Sequence, residues 1–508
     1  MTRALRAAAA AGAVAFSLAH VGSPDTLFEG RAGPYPVRVI VRAPGVVPGL
    51  ADIAVRFTLG PERVRTVTVL PLRGGVPTAA NPPPDTARPV AGDPSLYAAQ
   101  LWLMAYGAYS VEVRVAGTAG DGVAIVPVNS VATRRLEMRA PVALALAAAG
   151  LFLFVGMLTI VGAAVRESVL PPGESPDPRR RRRARWATAA TVPALALLLL
   201  GGNAWWDAED RAYRRRLYRP PGTTTTLDAG ATGLLLRLAV DSTWLLGRQR
   251  GPLIPDHGKM MHLFLVRGEA PAALAHLHPA ARDSVTFETA VPPVPAGRYF
   301  LYADVVHESG FTQTLTDTVD VPPSGPRWQS TDPDDSWWMG GPDEQGGQRA
   351  TGNALADGSV MTWKHGDQPL VAGKDATLEF EVTGPDGRPA ALEPYMGMPS
   401  HAVVARDDGR VFVHLHALGT VSAAAQRVYE VREPGDTVRG ALAQKVINAG
   451  RGASESAPHP SDVPHPTSHA LTFPYAFPEP GAYRIWVQVK RRGRVLTGAF
   501  LAEVEPGP

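Results

Sequence analysis

The chain has 508 residues, 50 Lys+Arg against 47 Asp+Glu, a formal net charge of +3 and no cysteine. That length exceeds one ordinary domain and calls for two to four folded units. The even charge balance marks out no basic face for nucleic acid, and the missing thiols exclude disulfides, thiolate metal sites, iron–sulfur clusters and cysteine nucleophiles.

Residues 1–19 carry Arg3 and Arg6, a short apolar run and the small-x-small triplet SLA at 17–19. This is the plan of a secretory signal peptide cleaved after Ala19. Residues 20–138 read as an extracytoplasmic β-sandwich, because PVRVIVR, DIAVRFTL, VRTVTVL and YSVEVRVA alternate or enrich β-branched residues between Gly/Pro turns. Segments 140–165 and 186–206 are each apolar over the roughly 20 residues a transmembrane helix needs. The loop between them, 166–185, holds the arginine run Arg179 to Arg183 and reads as a cytoplasmic topology anchor. With the signal peptide exporting the first domain, the second span returns the rest of the chain to the outer side.

Residues 222–322 and 372–508 read as two copies, A and B, of one β-rich unit. A linker rich in Pro, Asp, Gly and Trp, 323–371, joins them. The strand order is the same in both, and Gly297 with Tyr299 opens the penultimate strand of A as Gly481 with Tyr483 opens that of B. A repeat of this length suits tandem sandwiches and is too long for a solenoid. Copy B carries an insertion, 423–469, that ends in ESAPHPSDVPHPTSH and reads as largely irregular. The expected fold is therefore mainly β, with three immunoglobulin-like β-sandwich domains plus two transmembrane α-helices.

Each copy contains a histidine followed by a His-Leu-His triplet. These are His262, His276 and His278 in A, and His401, His414 and His416 in B. Residues i and i+2 of a strand share a face, so a neighbouring strand brings the earlier histidine beside the pair. Imidazole is the commonest metal ligand, and without thiols only carboxylate, thioether or amine can join it. Met260 and Met261 beside the first triad and Met396 and Met398 beside the second add sulfur, and His307 adds an imidazole that B lacks; all five rank below the triads. Imidazole with soft sulfur favours copper, Cu(I) or Cu(II), with zinc as the alternative. The plainer reading makes the six histidines hydrogen-bonded residues at a sheet rim.

The segments MPSH (398–401), HLH (414–416) and PGAYRIW (480–486) carry a resemblance. Over most of 229–321 and 374–504 the repeats resemble the YtkA-like and FixH-like β-sandwich domains of bacterial exported proteins. The first domain, opening AHVGSPDTLFEGRAGPYPV, more loosely resembles CopC-type copper carriers. The resemblance implies handling of copper or another heavy metal outside the cytoplasm, with envelope metal-transport or oxidase-assembly proteins as partners. It also implies that His20, made N-terminal by cleavage, holds Cu(II) through its amine and imidazole, with Asp25 as a further ligand. The chain departs from that pattern in having no other histidine before His257.

Metalloprotease HExxH, phosphate-loop, GxSxG and dinucleotide motifs are all missing from the sequence, so no enzyme is expected. The expected function is a membrane-anchored extracytoplasmic protein that binds or delivers metal, copper first. Its N- and C-terminal domains would lie outside the cytoplasmic membrane. The alternatives are a non-metal scaffold of the cell envelope and, ranked below it, a metalloenzyme.

Overall fold

The computed structural model describes residues 20–21, 25–58, 60–78, 81–171, 173–230, 233–241, 251–269, 272–323, 328–330, 332–340, 352–364, 366, 368–437, 439–456 and 470–507. The expected signal peptide, 1–19, and the insertion histidines His459, His465 and His469 lie outside the described residues. The fold is mainly β, in sandwich-like sheets, with two long apolar helices. The chain divides into one unit of Met1–Val131 with Arg219–Pro508 and a second of Ala132–Tyr218.

The first β domain runs from Asp25 to Ser130 as one eight-stranded antiparallel sheet. Strict alternation builds it: Gly49–Phe57 hides Ala51, Ile53, Val55 and Phe57 and turns the residues between them outward. Both halves of the sheet share one core, in which Val39 and Val55 meet Val69, Val113 and Val126. The first strand docks on repeat B, where Glu29 N donates to Leu418 O at 2.9 Å and Thr420 N to Leu27 O at 3.0 Å.

Repeat A has a back sheet of Thr223–Gly230, Gly233–Val240, Thr286–Val291 and Ala280–Ala281. Its front sheet orders Leu253–Ile254, Gly297–His307, His262–Arg267, Ala273–Leu277 and Ser336–Met339, with Thr312–Val321 also paired to Gly297–His307. Repeat B has a back sheet of Gly352–Ala354, Val360–Lys364, Asp375–Thr383 and Ala470–Ala476. Its front sheet orders Val411–His416, His401–Arg406, Gly481–Arg491, Arg494–Glu505 and Leu370–Val371. A two-residue strand, His20–Val21, lies parallel to Val411–Phe412 at the outer edge of that sheet.

Two sequence expectations change here. The supposed linker supplies strands to both repeats: Ser336–Met339 extends the front sheet of A, and Gly352–Ala354 and Val360–Lys364 belong to the back sheet of B. Met361 and Trp363 alternate into the core of B, a period-two signal masked by the Pro- and Gly-rich residues around it. The insertion in B is also less irregular than its composition implies, because Ala423–Val431 and Ala441–Ser456 are helices. Ser422 caps the first by accepting from Ala425 N at 3.1 Å. Glu308 of repeat A caps the second, accepting from Gly440 N at 2.8 Å and Ala443 N at 2.8 Å.

The front sheets are apolar on both faces. In His262–Arg267, Leu263 and Leu265 enter the core of A, while Phe264 and Val266 point the other way. In His401–Arg406, Ala402 and Val404 enter the core of B, while Val403 and Ala405 point away. The two outward faces pack on each other. Tyr302 stacks on Phe412 with ring centroids 4.0 Å apart and an angle of 7°, and its hydroxyl donates to Gly409 O at 2.6 Å. Trp338, from the segment between the repeats, meets Trp486 edge-on at 6.2 Å. Each such ring pair adds about 0.5–1.5 kcal/mol beyond the area it buries.

In the second unit, Ala140–Glu167 and Pro178–Arg216 are each long and apolar enough to cross a membrane, and the most apolar window of each is unburied. Leu144, Phe152, Leu198 and Leu199 are exposed on them. Arg179 to Arg183 belong to the start of the second helix and not to a loop. Pro178 supplies the fixed φ of a first helical residue, and Asp177 accepts from Arg180 N at 2.6 Å, so the helix begins before the arginines.

Candidate metal centre

The outward faces of the two front sheets end in histidines. In His262–Arg267, His262 shares its face with Phe264 and Val266; in Ala273–Leu277, His276 shares its face with Leu274. Antiparallel pairing sets His276 opposite Phe264, one step from His262, and His262 Nδ1 lies 3.1 Å from His276 Nε2. Repeat B builds the same object, with His401 Nδ1 3.1 Å from His414 Nε2. His278 and His416 complete the triads: in each, one ligand atom per residue lies within 4.8 Å of the other two. All six side chains are buried.

The outer nitrogen of each ring faces an oxygen. His262 Nε2 donates to Asp256 O at 3.2 Å and His401 Nε2 to Tyr395 O at 3.1 Å. His276 Nδ1 faces Gln488 Oε1 at 2.8 Å, and the Gln488 amide nitrogen is committed to Ser336 Oγ at 2.7 Å. His278 Nδ1 donates to Asp335 Oδ1 at 3.1 Å and His416 Nδ1 to Val421 O at 3.3 Å. His414 Nδ1 stands 3.6 Å from Asp304 Oδ2. Carbonyl and carboxylate oxygens only accept, so the outer nitrogens carry the protons. The inner nitrogens are left with lone pairs that converge.

Converging lone pairs repel unless a cation or a proton lies between them. Burial and the neighbouring imidazoles hold His262, His276, His401 and His414 well below the usual histidine range, and burial brings His416 down to about 4. Protonation is thus the disfavoured answer. His278 Nε2 and His416 Nε2 are buried with no hydrogen-bond partner among the described residues. Such orphaned nitrogens, each on a ring oriented by an oxygen acceptor, form a donor set able to hold a metal ion.

The two triads are not separate, as the sequence implied. They meet across the repeat interface, with ring centroids 5.2 Å apart for His262 and His414 and 5.4 Å for His276 and His414. The outer partners cross as well, because Gln488 of B holds His276 of A, while Asp304 of A faces His414 of B. Asp304 and Gln488 are equivalent, each directly paired with the first histidine of its own triad. Burial pushes the Asp304 carboxyl up to about 7, opposed by a hydrogen bond from Thr314.

Sequence reasoning missed a seventh histidine. His257 lies 4.9 Å from His416 and 5.3 Å from His401, centroid to centroid, although it belongs to repeat A. Among the described residues its buried Nε2 has no hydrogen-bond partner, and Asp256 Oδ1 is 3.7 Å away. Asp256, His257 and His416 form a further group able to hold an ion. The signal was available in the register of DHGKMMH (256–262) against YMGMPSH (395–401).

The weaker candidates fall elsewhere. Met261 is fully buried in the core of A, and His307 has both ring nitrogens beside oxygens, Gly251 O at 3.2 Å and Gln313 Oε1 at 3.4 Å. Met398 is buried in the turn before His401, with its backbone paired to Tyr395. The His20 backbone lies beside Val411, three residues before His414 and roughly 10 Å from it along the strand. Asp25, its implied companion, pairs with Arg42 at 3.4 Å.

Three stretches, 226–323, 354–438 and 436–506, match a family described as a domain of unknown function, DUF8832. They follow the two repeats and span about half of the chain. No curated protein matches it. Among solved structures, the native conformation of Escherichia coli alpha-2-macroglobulin is 9% identical with a TM-score of 0.19, over 96% of this chain and 23% of the macroglobulin. Salmonella alpha-2-macroglobulin reacted with methylamine is 9% identical with a TM-score of 0.17, over 96% and 24%. The chain spans about a quarter of the length of these macroglobulins.

Proposed function

We propose that this protein is a membrane-anchored, extracytoplasmic metal-binding protein, and that it holds copper at a paired histidine centre between repeats A and B. The observation that carries this reading is the direction of the rings. Outer nitrogens bonded to oxygen leave the inner lone pairs of two triads facing one another in a buried site. Zinc is the competing ion, since imidazole serves both. The signal-like N-terminus and the arginine-rich start of the second long helix support an arrangement in which the β domains lie outside the cytoplasm. Buffering, or transfer to a membrane partner that transports copper or assembles an oxidase, follows from a site that binds a metal but carries no catalytic motif.

The test is titration of the detergent-solubilised full chain, stripped of metal, with Cu(I), Cu(II) and Zn(II). Wild type should take up two copper ions, and His276→Ala/His278→Ala only one. Equal uptake by both proteins would sink the metal reading and leave the cluster as an interface of a cell-envelope scaffold.

A further inference from the structure

The two repeats correspond position by position across their front sheets, and outer contacts run both ways between them. His262 corresponds to His401, His276 to His414, His278 to His416, and Asp304 to Gln488. The turn before each first histidine obeys the same relation. Asp256 bridges Lys259 as Tyr395 bridges Met398. His257 and Met396 both take a left-handed conformation, with φ of 50° and 52°, and each is followed by a glycine, with φ of 80° at Gly258 and 78° at Gly397. A left-handed backbone at a non-glycine residue is uncommon, so a matched pair is a designed feature of the turn. Asp256 O and Tyr395 O perform the same task, accepting from the first histidine of their own repeat.

His257 uses this turn to reach the opposite triad. It stands 4.9 Å from His416 of B but 6.3 Å from His262 of A. The corresponding turn of B crosses in the reverse direction, since the Tyr395 hydroxyl lies 3.3 Å from His276 Nδ1 of A and donates to Asp334 O at 3.0 Å. Met396 is buried. In the turn of B it holds the position that His257 holds in the turn of A.

We propose that the repeats exchange their fourth ligands. His257 of A completes the B centre as a four-imidazole site, and Met396 of B completes the A centre with a thioether. This deepens the metal reading above and rests on it. The two centres then differ in kind. Three imidazoles with sulfur suit Cu(I), while four imidazoles beside the Asp256 carboxylate suit Zn(II) or Cu(II). The crossing also makes each centre depend on the other repeat, so neither repeat alone carries a complete site.

The experiment uses the full chain in detergent, with Met396→Leu and His257→Gln as volume-conserving changes. Cu(I) and Zn(II) are titrated separately against chromogenic chelators. Met396→Leu should weaken one of the two Cu(I) equivalents by about tenfold or more and leave Zn(II) binding unchanged. His257→Gln should weaken one Zn(II) equivalent by about tenfold or more and leave the tighter Cu(I) equivalent intact. X-ray absorption of the Cu(I)-loaded protein should show a sulfur shell in wild type and none in Met396→Leu. Thermal melting of the metal-free variants, expected to match wild type, separates lost ligation from lost folding. A sulfur shell retained in Met396→Leu, or unchanged Zn(II) binding in His257→Gln, overturns the exchange while leaving the metal reading standing. Wild type that binds neither metal overturns both.

Discussion

The A and B centres begin from the same strand pattern and are finished by different parts of the chain. In A, the third histidine is oriented by Asp335, from the segment between the repeats, within a loop where Lys259 pairs with Asp332 at 2.5 Å and Lys490 with Asp334 at 3.0 Å. In B, the third histidine is oriented by Val421 O, and the start of the insertion helix closes over it, with Ala424 N donating to Asp256 Oδ1 at 2.9 Å. The triads are therefore a property of the repeat, whereas their lids and outer partners come from segments that do not repeat. The repeat supplies two donor sets, and the segments that close over them differ.

The strongest way to break the comparison is to separate the repeats. Phe412→Ala removes the ring stacked on Tyr302 and should cost about 3–5 kcal/mol in stability, with both metal equivalents weakened together. Melting and titration of the same sample check this; loss at the B centre alone would show that the centres are independent. A finer cut acts on the crossed partners. Gln488→Leu should weaken the A centre by about 10–100-fold, and Asp304→Leu the B centre by the same range. If each change instead weakened the centre of its own repeat, the crossed arrangement would be wrong.

Acid probes the symmetry without a mutation. The unfolded chain has histidines near pH 6.5, whereas the buried triad histidines are held well below that. Below about pH 6.5 the unfolded state therefore binds protons that the folded state refuses. The metal-free protein should keep its full stability above that pH and lose it progressively as pH falls toward the folded values. Melting temperatures between pH 8 and 5 test the sign, and His276→Gln and His414→Gln should flatten the curve equally. The smallest effect is local: Ser422→Ala removes a cap beside the B centre and should cost about 1 kcal/mol, leaving Cu(I) uptake at A untouched.

Much of this was legible in the chain. The alternation of LEFEV or RYFLYADV, the two apolar spans, and the repeated His and His-Leu-His spacing give sheet, span and triad directly, because period and burial are local properties. The helices of the insertion were less legible, since Ala- and Gly-rich composition does not separate a packed helix from a loop. Val360–Lys364 was hidden because its alternation is only five residues long.

The sequence by itself determined that His262, His276 and His278 share a face, as do His401, His414 and His416, because a strand has a period of two. Only the tertiary structure decided that these faces meet each other and not solvent. That choice depends on Phe264, Tyr302, Phe412 and Trp486, which bury the outer faces of both front sheets together. It also decided that His257 belongs with the triad of the other repeat. No spacing along one chain can express a contact of that kind. It comes from the packing of two sheets, whose register is set by side chains more than a hundred residues apart.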